Sequence, residues 1–190
     1  MKISNSKRGF TLIELLIVIA LLGALAVGLL AAVDPFEQLK KGRDTSNRNT
    51  AAEFYNALIR YYSQRTAFPW SASDDMIAAG AVPITQPNAL TTFTLGGSAD
   101  SVNKLGSAIV SSLAQAGELK ADFYNLGGGT GNMAKINFFW PSSDKVVVCY
   151  QPESKAFRNE SNTKYDISGG TSLGSACPNA TSPNCYICFQ

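Results

Sequence analysis

Histidine is absent from all 190 residues of the sequence. Its absence excludes a Ser-His or Cys-His catalytic pair, and it excludes any metal site with an imidazole ligand. An enzyme would need convergent acid, base or nucleophile residues, and the sequence contains no such constellation. We therefore predict neither enzymatic activity nor a bound cofactor.

A strong excess of basic charge is also lacking. The chain has sixteen Lys and Arg residues against fourteen Asp and Glu residues. Three of the bases, Lys2, Lys7 and Arg8, lie among the first nine residues, which contain no acid. The chain from residue 10 onwards therefore carries about one net negative charge, and we predict no specific nucleic-acid partner.

One long hydrophobic run is present near the amino terminus. Residues 10–33 read FTLIELLIVIALLGALAVGLLAAV, about the length that a helix needs to cross a bilayer. Glu14 is the one ionisable residue of this run. Because a carboxylate within a membrane helix costs on the order of 2 to 4 kcal/mol, a plain membrane anchor leaves Glu14 unexplained.

The residues before this run are basic, which favours a cytoplasmic leader and a translocated remainder. An ordinary secretory signal has a shorter apolar core and a cleavage site of small residues after it. Ala31-Ala32 is compatible with such a site, so a cleaved signal peptide stays open as an alternative.

The stretch Lys7-Arg8-Gly9-Phe10-Thr11-Leu12-Ile13-Glu14 resembles the processing motif of the type IV pilin and pseudopilin family. The resemblance implies that a prepilin peptidase cuts between Gly9 and Phe10 and that the new amino group of Phe10 is N-methylated. It also implies that Glu14 pairs with the amino terminus of a neighbouring subunit during assembly. A buried carboxylate is tolerated when a cation shares its surroundings, and assembly would supply that cation.

We divide the chain into a prepilin leader (residues 1–9), a hydrophobic transmembrane and assembly helix (10–34) and a globular head (35–190). Asp34-Pro35 interrupts the helical pattern, because proline lacks an amide donor and disfavours a helical residue before it. The pattern resumes from Phe36 and predicts one long, bent helix from residue 10 to about residue 66. Its second half is amphipathic and needs a sheet to cover its apolar face, which comprises Ala51, Phe54, Tyr55, Leu58, Ile59 and Tyr62.

Further elements follow from local signals. Helices are predicted at 74–79 and at about 102–116, the latter before the stop at Gly117. Alternating apolar residues predict an antiparallel hairpin of strands 135–140 and 145–150, with a third short strand near Lys155 to Arg158. The predicted fold class is therefore α+β, a long helix packed on a small antiparallel sheet in a ladle-like pilin fold.

All four cysteines, Cys149, Cys177, Cys185 and Cys188, lie in the last quarter of the chain. A translocated domain meets an oxidising environment, so we predict two disulfides. A Cys185 to Cys188 bridge would close a very small loop, and each is expected to reach back to Cys149 or Cys177. A four-thiolate zinc site, in which Cys185 and Cys188 form one knuckle, is the alternative.

The resemblance implies a structural subunit that is a single-pass membrane protein as a precursor and part of an extracellular filament when assembled. Its expected partners are identical or related pilin subunits, the prepilin peptidase, the assembly machinery and, before assembly, membrane lipid. Two alternatives stay open: a pseudopilin of a type II secretion or DNA-uptake machine, and a membrane-anchored binding domain that does not polymerise. A calcium site is not expected, because Asp166 is the one carboxylate residue after Glu160.

Overall fold

The computed structural model describes residues 9–32, 34–71, 93–95, 104–165 and 185–190. These residues belong to two compact units, Met1–Gln38 and Leu39–Gln190. The helix predicted at 74–79 lies outside the described residues.

The first unit contains helix α1, Leu12–Ala32, and the beginning of helix α2, Pro35–Arg65. Asp34 caps the start of α2, because its Oδ1 accepts hydrogen bonds from the amides of Phe36 and Glu37 at 3.1 and 3.3 Å. Pro35 occupies the first helical position, where its missing amide donor costs nothing. The interruption expected at Asp34-Pro35 is thus the start of a second helix.

In its described residues, the second unit contains the rest of α2, four shorter helices and five strands. The helices are α3 (Lys104–Gln115), α4 (Phe123–Leu126), α5 (Gly129–Met133) and α6 (Lys155–Arg158). The strands are β1 (Phe93–Thr94), β2 (Ile136–Ser142), β3 (Lys145–Tyr150), β4 (Thr163–Tyr165) and β5 (Tyr186–Phe189).

The described strands form one antiparallel sheet in the order β1-β2-β3-β5-β4. The predicted hairpin is confirmed as β2 and β3, with Phe138 opposite Val148. Its register shifts between Phe139 and Ser142, the stretch that contains Pro141. This position suits a proline, which cannot donate a ladder hydrogen bond. The α+β fold class with a small antiparallel sheet is confirmed.

The prediction of a third strand at Lys155 to Arg158 is wrong, because these residues form helix α6. Ser154 starts that helix: it has an extended backbone, and its hydroxyl accepts a hydrogen bond from the Phe157 amide at 3.4 Å. The second neighbour of β3 is instead β5, which comes from much later in the chain.

The core of the second unit lies between one face of α2 and one face of the sheet. Phe54 of α2 meets Phe138 of β2 edge to face, with 5.6 Å between the ring centroids. Trp70, after the end of α2, stacks on Trp140 at 4.7 Å. The buried face of α2 is rotated from the predicted one, because Ile59 is 40% exposed whereas Tyr61 is buried.

Candidate functional site

The predicted cleavage junction lies immediately before α1. Gly9 and Phe10 are both exposed and neither is helical. A Cβ atom added to Gly9 would meet no described atom within 4 Å, and Phe10 is 82% exposed. The peptide bond between them is therefore sterically open in the described part of the chain.

Thr11 and Glu14 form a reciprocal cap at the start of α1. The Thr11 hydroxyl accepts a hydrogen bond from the Glu14 amide at 3.3 Å, and Glu14 Oε2 accepts one from the Thr11 amide at 2.9 Å. The Thr11 hydroxyl also donates to Glu14 Oε2 at 2.8 Å. This arrangement is a capping box, which satisfies amides that have no partner within the helix. The carboxylate therefore has a local structural role that the sequence analysis did not identify.

Both hydrogen bonds that the Glu14 carboxylate accepts end on Oε2. Oε1 accepts none from the described residues. One oxygen of this carboxylate is thus occupied within the chain, and the other is left to accept a further donor.

Helix α1 is apolar on all sides and is not covered by the described chain. Residues Leu12–Leu30 are long and apolar enough to cross a membrane, and none of this stretch is buried. Leu12, Leu25 and Leu30 are 82%, 64% and 73% exposed. A helix that is hydrophobic all round is typical of a membrane span or of a helix buried among others, and the length and composition of α1 fit a membrane anchor.

In the second unit, Asp44 of α2 is completely buried and binds the loop between β3 and α6. Its Oδ1 accepts from the Glu153 amide at 2.9 Å, and its Oδ2 accepts from the Ser154 amide and hydroxyl at 2.7 and 2.6 Å. The sequence pattern did not indicate this role. The available signal was spacing, since Asp44 continues the three- and four-residue spacing of the buried positions Asn47, Ala51, Phe54, Leu58 and Tyr61.

Glu153 accepts hydrogen bonds from two cations beside this loop. Lys135 binds its Oε1, and Arg43 binds its Oε2 at 2.6 Å. The hydrogen bond from Lys135 is the largest cause that holds the pKa of the Glu153 carboxyl below its ordinary value, and the bond from Arg43 adds to it. The loop between β3 and α6 is therefore tied both to α2 and to the start of β2.

Cys149 of β3 and Cys188 of β5 lie opposite each other in the sheet and form a disulfide. Cys188 thus reaches back to one of its two expected partners. Cys185 is also disulfide-bonded, and Cys177 lies outside the described residues. Since a disulfide sulfur is not a thiolate, Cys149, Cys185 and Cys188 do not form the alternative zinc site.

Comparison with known proteins gives one match. Residues 4–30 match the family model of the prokaryotic N-terminal methylation motif. The matched range includes Gly9, Phe10 and Glu14, so the resemblance noted from the sequence is confirmed for this part of the chain. No curated protein and no solved structure gives a significant match.

Proposed function

Because the methylation motif at residues 4–30 is the hallmark of type IV pilins and pseudopilins, we propose that this protein is a structural subunit of a type IV pilus. A prepilin peptidase removes the leader between Gly9 and Phe10, and Phe10 is then N-methylated. The helix that follows anchors the subunit in the membrane and later joins it to identical or related subunits. The function is assembly, not catalysis.

The observation that carries this proposal is the combination of the motif with an uncovered apolar helix. The motif, residues 4–30, includes most of α1, and α1 is exposed along its candidate membrane span. Lipid covers such a helix before assembly. In a filament, the same helices cover one another, so one sequence serves both environments.

Glu14 supplies a contact that helps to set the register between subunits. Oε2 is held by Thr11, which fixes the carboxylate at the start of the helix. Oε1 then accepts a hydrogen bond from the methylated amino group of Phe10 in a neighbouring subunit. This pairing offsets the cost of a carboxylate in apolar surroundings, and cleavage is required because it creates the amino group.

The first experiment is gentle shearing of producing cells, followed by intact-mass and N-terminal analysis of the released and membrane fractions. We expect released protein that begins at N-methylated Phe10. The same trimmed terminus in the membrane fraction alone would favour a pseudopilin instead. An uncut Met1 terminus in both fractions would contradict both functions.

A matched pair of variants separates processing from assembly. Glu14→Ala is expected to be cleaved normally and to reduce the filament yield in the sheared fraction at least tenfold. Glu53→Ala removes an exposed carboxylate from α2 and is expected to leave cleavage and yield unchanged. Normal filaments from Glu14→Ala would contradict the proposed role of this residue.

A further inference from the structure

A polar cleft of about 360 Å³ lies beside the Lys135–Glu153 pair. Its walls come from the residues before and at the start of β2, the loop between β3 and α6, the end of α6 and the start of β5. The lining residues are Ala134, Lys135, Asn137, Gln151, Pro152, Glu153, Arg158 and Tyr186. The volume is at the lower end of the range for small-molecule sites and suits a ligand of about one sugar ring.

Asn137 is the most unusual residue of this wall. It is only 9% exposed, and its side-chain amide makes no hydrogen bond within the described part of the chain. Its polar atoms are not among the completely buried, unsatisfied side-chain atoms of the described residues, so they are open to water in the cleft. Because Asn137 lines the cleft, a ligand there can supply the missing partners.

The cleft also has a cation that no carboxylate of the described residues neutralises. The Arg158 guanidinium makes one hydrogen bond, from Nε to the carbonyl oxygen of Pro152 at 3.0 Å, and it forms no ion pair within the described residues. Lys135 adds a second positive charge, although it shares Glu153 with Arg43. Arg158 can therefore bind a carboxylate through its terminal nitrogens, since guanidinium and carboxylate groups match in geometry.

We propose that this cleft binds an acidic monosaccharide, with its carboxylate on Arg158 and a ring hydroxyl on the amide of Asn137. Glu153 accepts a hydrogen bond from another hydroxyl, and the Tyr186 ring supplies an apolar wall. This inference does not depend on filament assembly, because every residue involved lies in the second unit.

The test is an NMR titration of the full chain in detergent micelles whose headgroups contain no sugar. The probes are glucuronate, glucose and inorganic phosphate. We expect glucuronate to shift the resonances of Asn137 and Arg158 with an affinity at least tenfold above that of either other probe. Equal binding of glucose or phosphate would overturn the assignment to an acidic sugar, as would the absence of glucuronate binding.

Two variants test the contacts. Arg158→Gln should weaken glucuronate binding at least tenfold, whereas Arg60→Gln, which removes the same charge from the distant pair with Glu118, should not change it. Asn137→Leu keeps the side-chain size and removes both hydrogen-bonding atoms, so it should also weaken binding without lowering the midpoint of thermal unfolding. A variant that merely damages the fold would lower both quantities. Unchanged glucuronate affinity in Arg158→Gln and Asn137→Leu would overturn the proposal.

Discussion

Asp44 Oδ2 accepts two hydrogen bonds from Ser154, a residue 110 positions later in the chain, and both residues are almost completely buried. Ser154 uses its amide and hydroxyl as donors to Asp44, and the same hydroxyl accepts from the Phe157 amide. One serine thus both starts α6 and fastens it to α2.

Removal of the Asp44 carboxylate should strongly destabilise the second unit. Asp44→Ala leaves three donors without their acceptor, two of them buried, so we expect a loss of about 2 to 4 kcal/mol in the free energy of unfolding. Ser154→Ala removes one of those donors and the cap, and should cost about 1 to 2 kcal/mol. Urea unfolding of the full chain in micelles measures both losses. A loss in Asp44→Ala no larger than that of the exposed-site variant Glu53→Ala would contradict the role of Asp44.

The ion pairs of Glu153 should make stability depend on acid pH. The pKa of its carboxyl in the folded state lies below the ordinary value of 4.5. The pairs therefore stabilise the fold above about pH 4.5, and this contribution is lost as pH falls through the lower, folded-state value. In Glu153→Gln, the thermal midpoint at neutral pH should be lower and its fall on acidification smaller. Parallel pH profiles for the two proteins would contradict this expectation.

Replacement of Tyr150 by phenylalanine should make the folded protein more stable. Its hydroxyl is buried and has no hydrogen-bond partner among the described residues, and burial raises the pKa of its phenol. Tyr150→Phe removes an unsatisfied polar group, so we expect a change between zero and about 1 kcal/mol in the stabilising direction. The matched variant is Tyr61→Phe, because the Tyr61 hydroxyl accepts a hydrogen bond from Arg65 at 3.1 Å. The midpoint of thermal unfolding should be higher in Tyr150→Phe than in Tyr61→Phe. A midpoint in Tyr150→Phe at or below that of Tyr61→Phe would contradict this expectation.

Loss of the Cys149–Cys188 disulfide should release β5 before the rest of the sheet. The bond closes a loop with a sequence separation of 39 residues, and we expect its removal to cost about 2 to 4 kcal/mol. The double variant Cys149→Ala with Cys188→Ala avoids a leftover thiol. Hydrogen exchange should become faster for the amides of β5 than for those of the β2–β3 hairpin. Uniform acceleration across the sheet would show instead that the strands separate together.

The sequence predicted the helices and strands whose formation depends mainly on residues close to one another in the chain. Alternation in 145–150 predicted β3, and Asp34-Pro35 predicted an interruption of the helical pattern where α2 begins, because side-chain period and dihedral restraint act within a few residues. The motif around Gly9 and Glu14 was likewise recognisable from the sequence, since all of its residues lie within one short stretch.

Distant pairings were not predictable in this way. The position of Lys155 to Arg158 after the hairpin predicts a third strand, whereas the cap from Ser154 starts a helix there. That cap is held in place by Asp44, and no local pattern relates the two residues. The pairing of β3 with β5 also joins segments separated by a long stretch of chain, which alternation alone cannot specify.

The position of β5 between β3 and β4 affects how a newly made chain reaches its folded state. As synthesis proceeds from the amino terminus, α1 is complete before any strand exists, whereas β3 keeps one unpaired edge until Tyr186 to Phe189 have been made. During that interval, the open edge can pair with a strand of another unfinished chain. Closure of the described sheet is therefore a late event, because it requires Tyr186 to Phe189 to enter between β3 and β4.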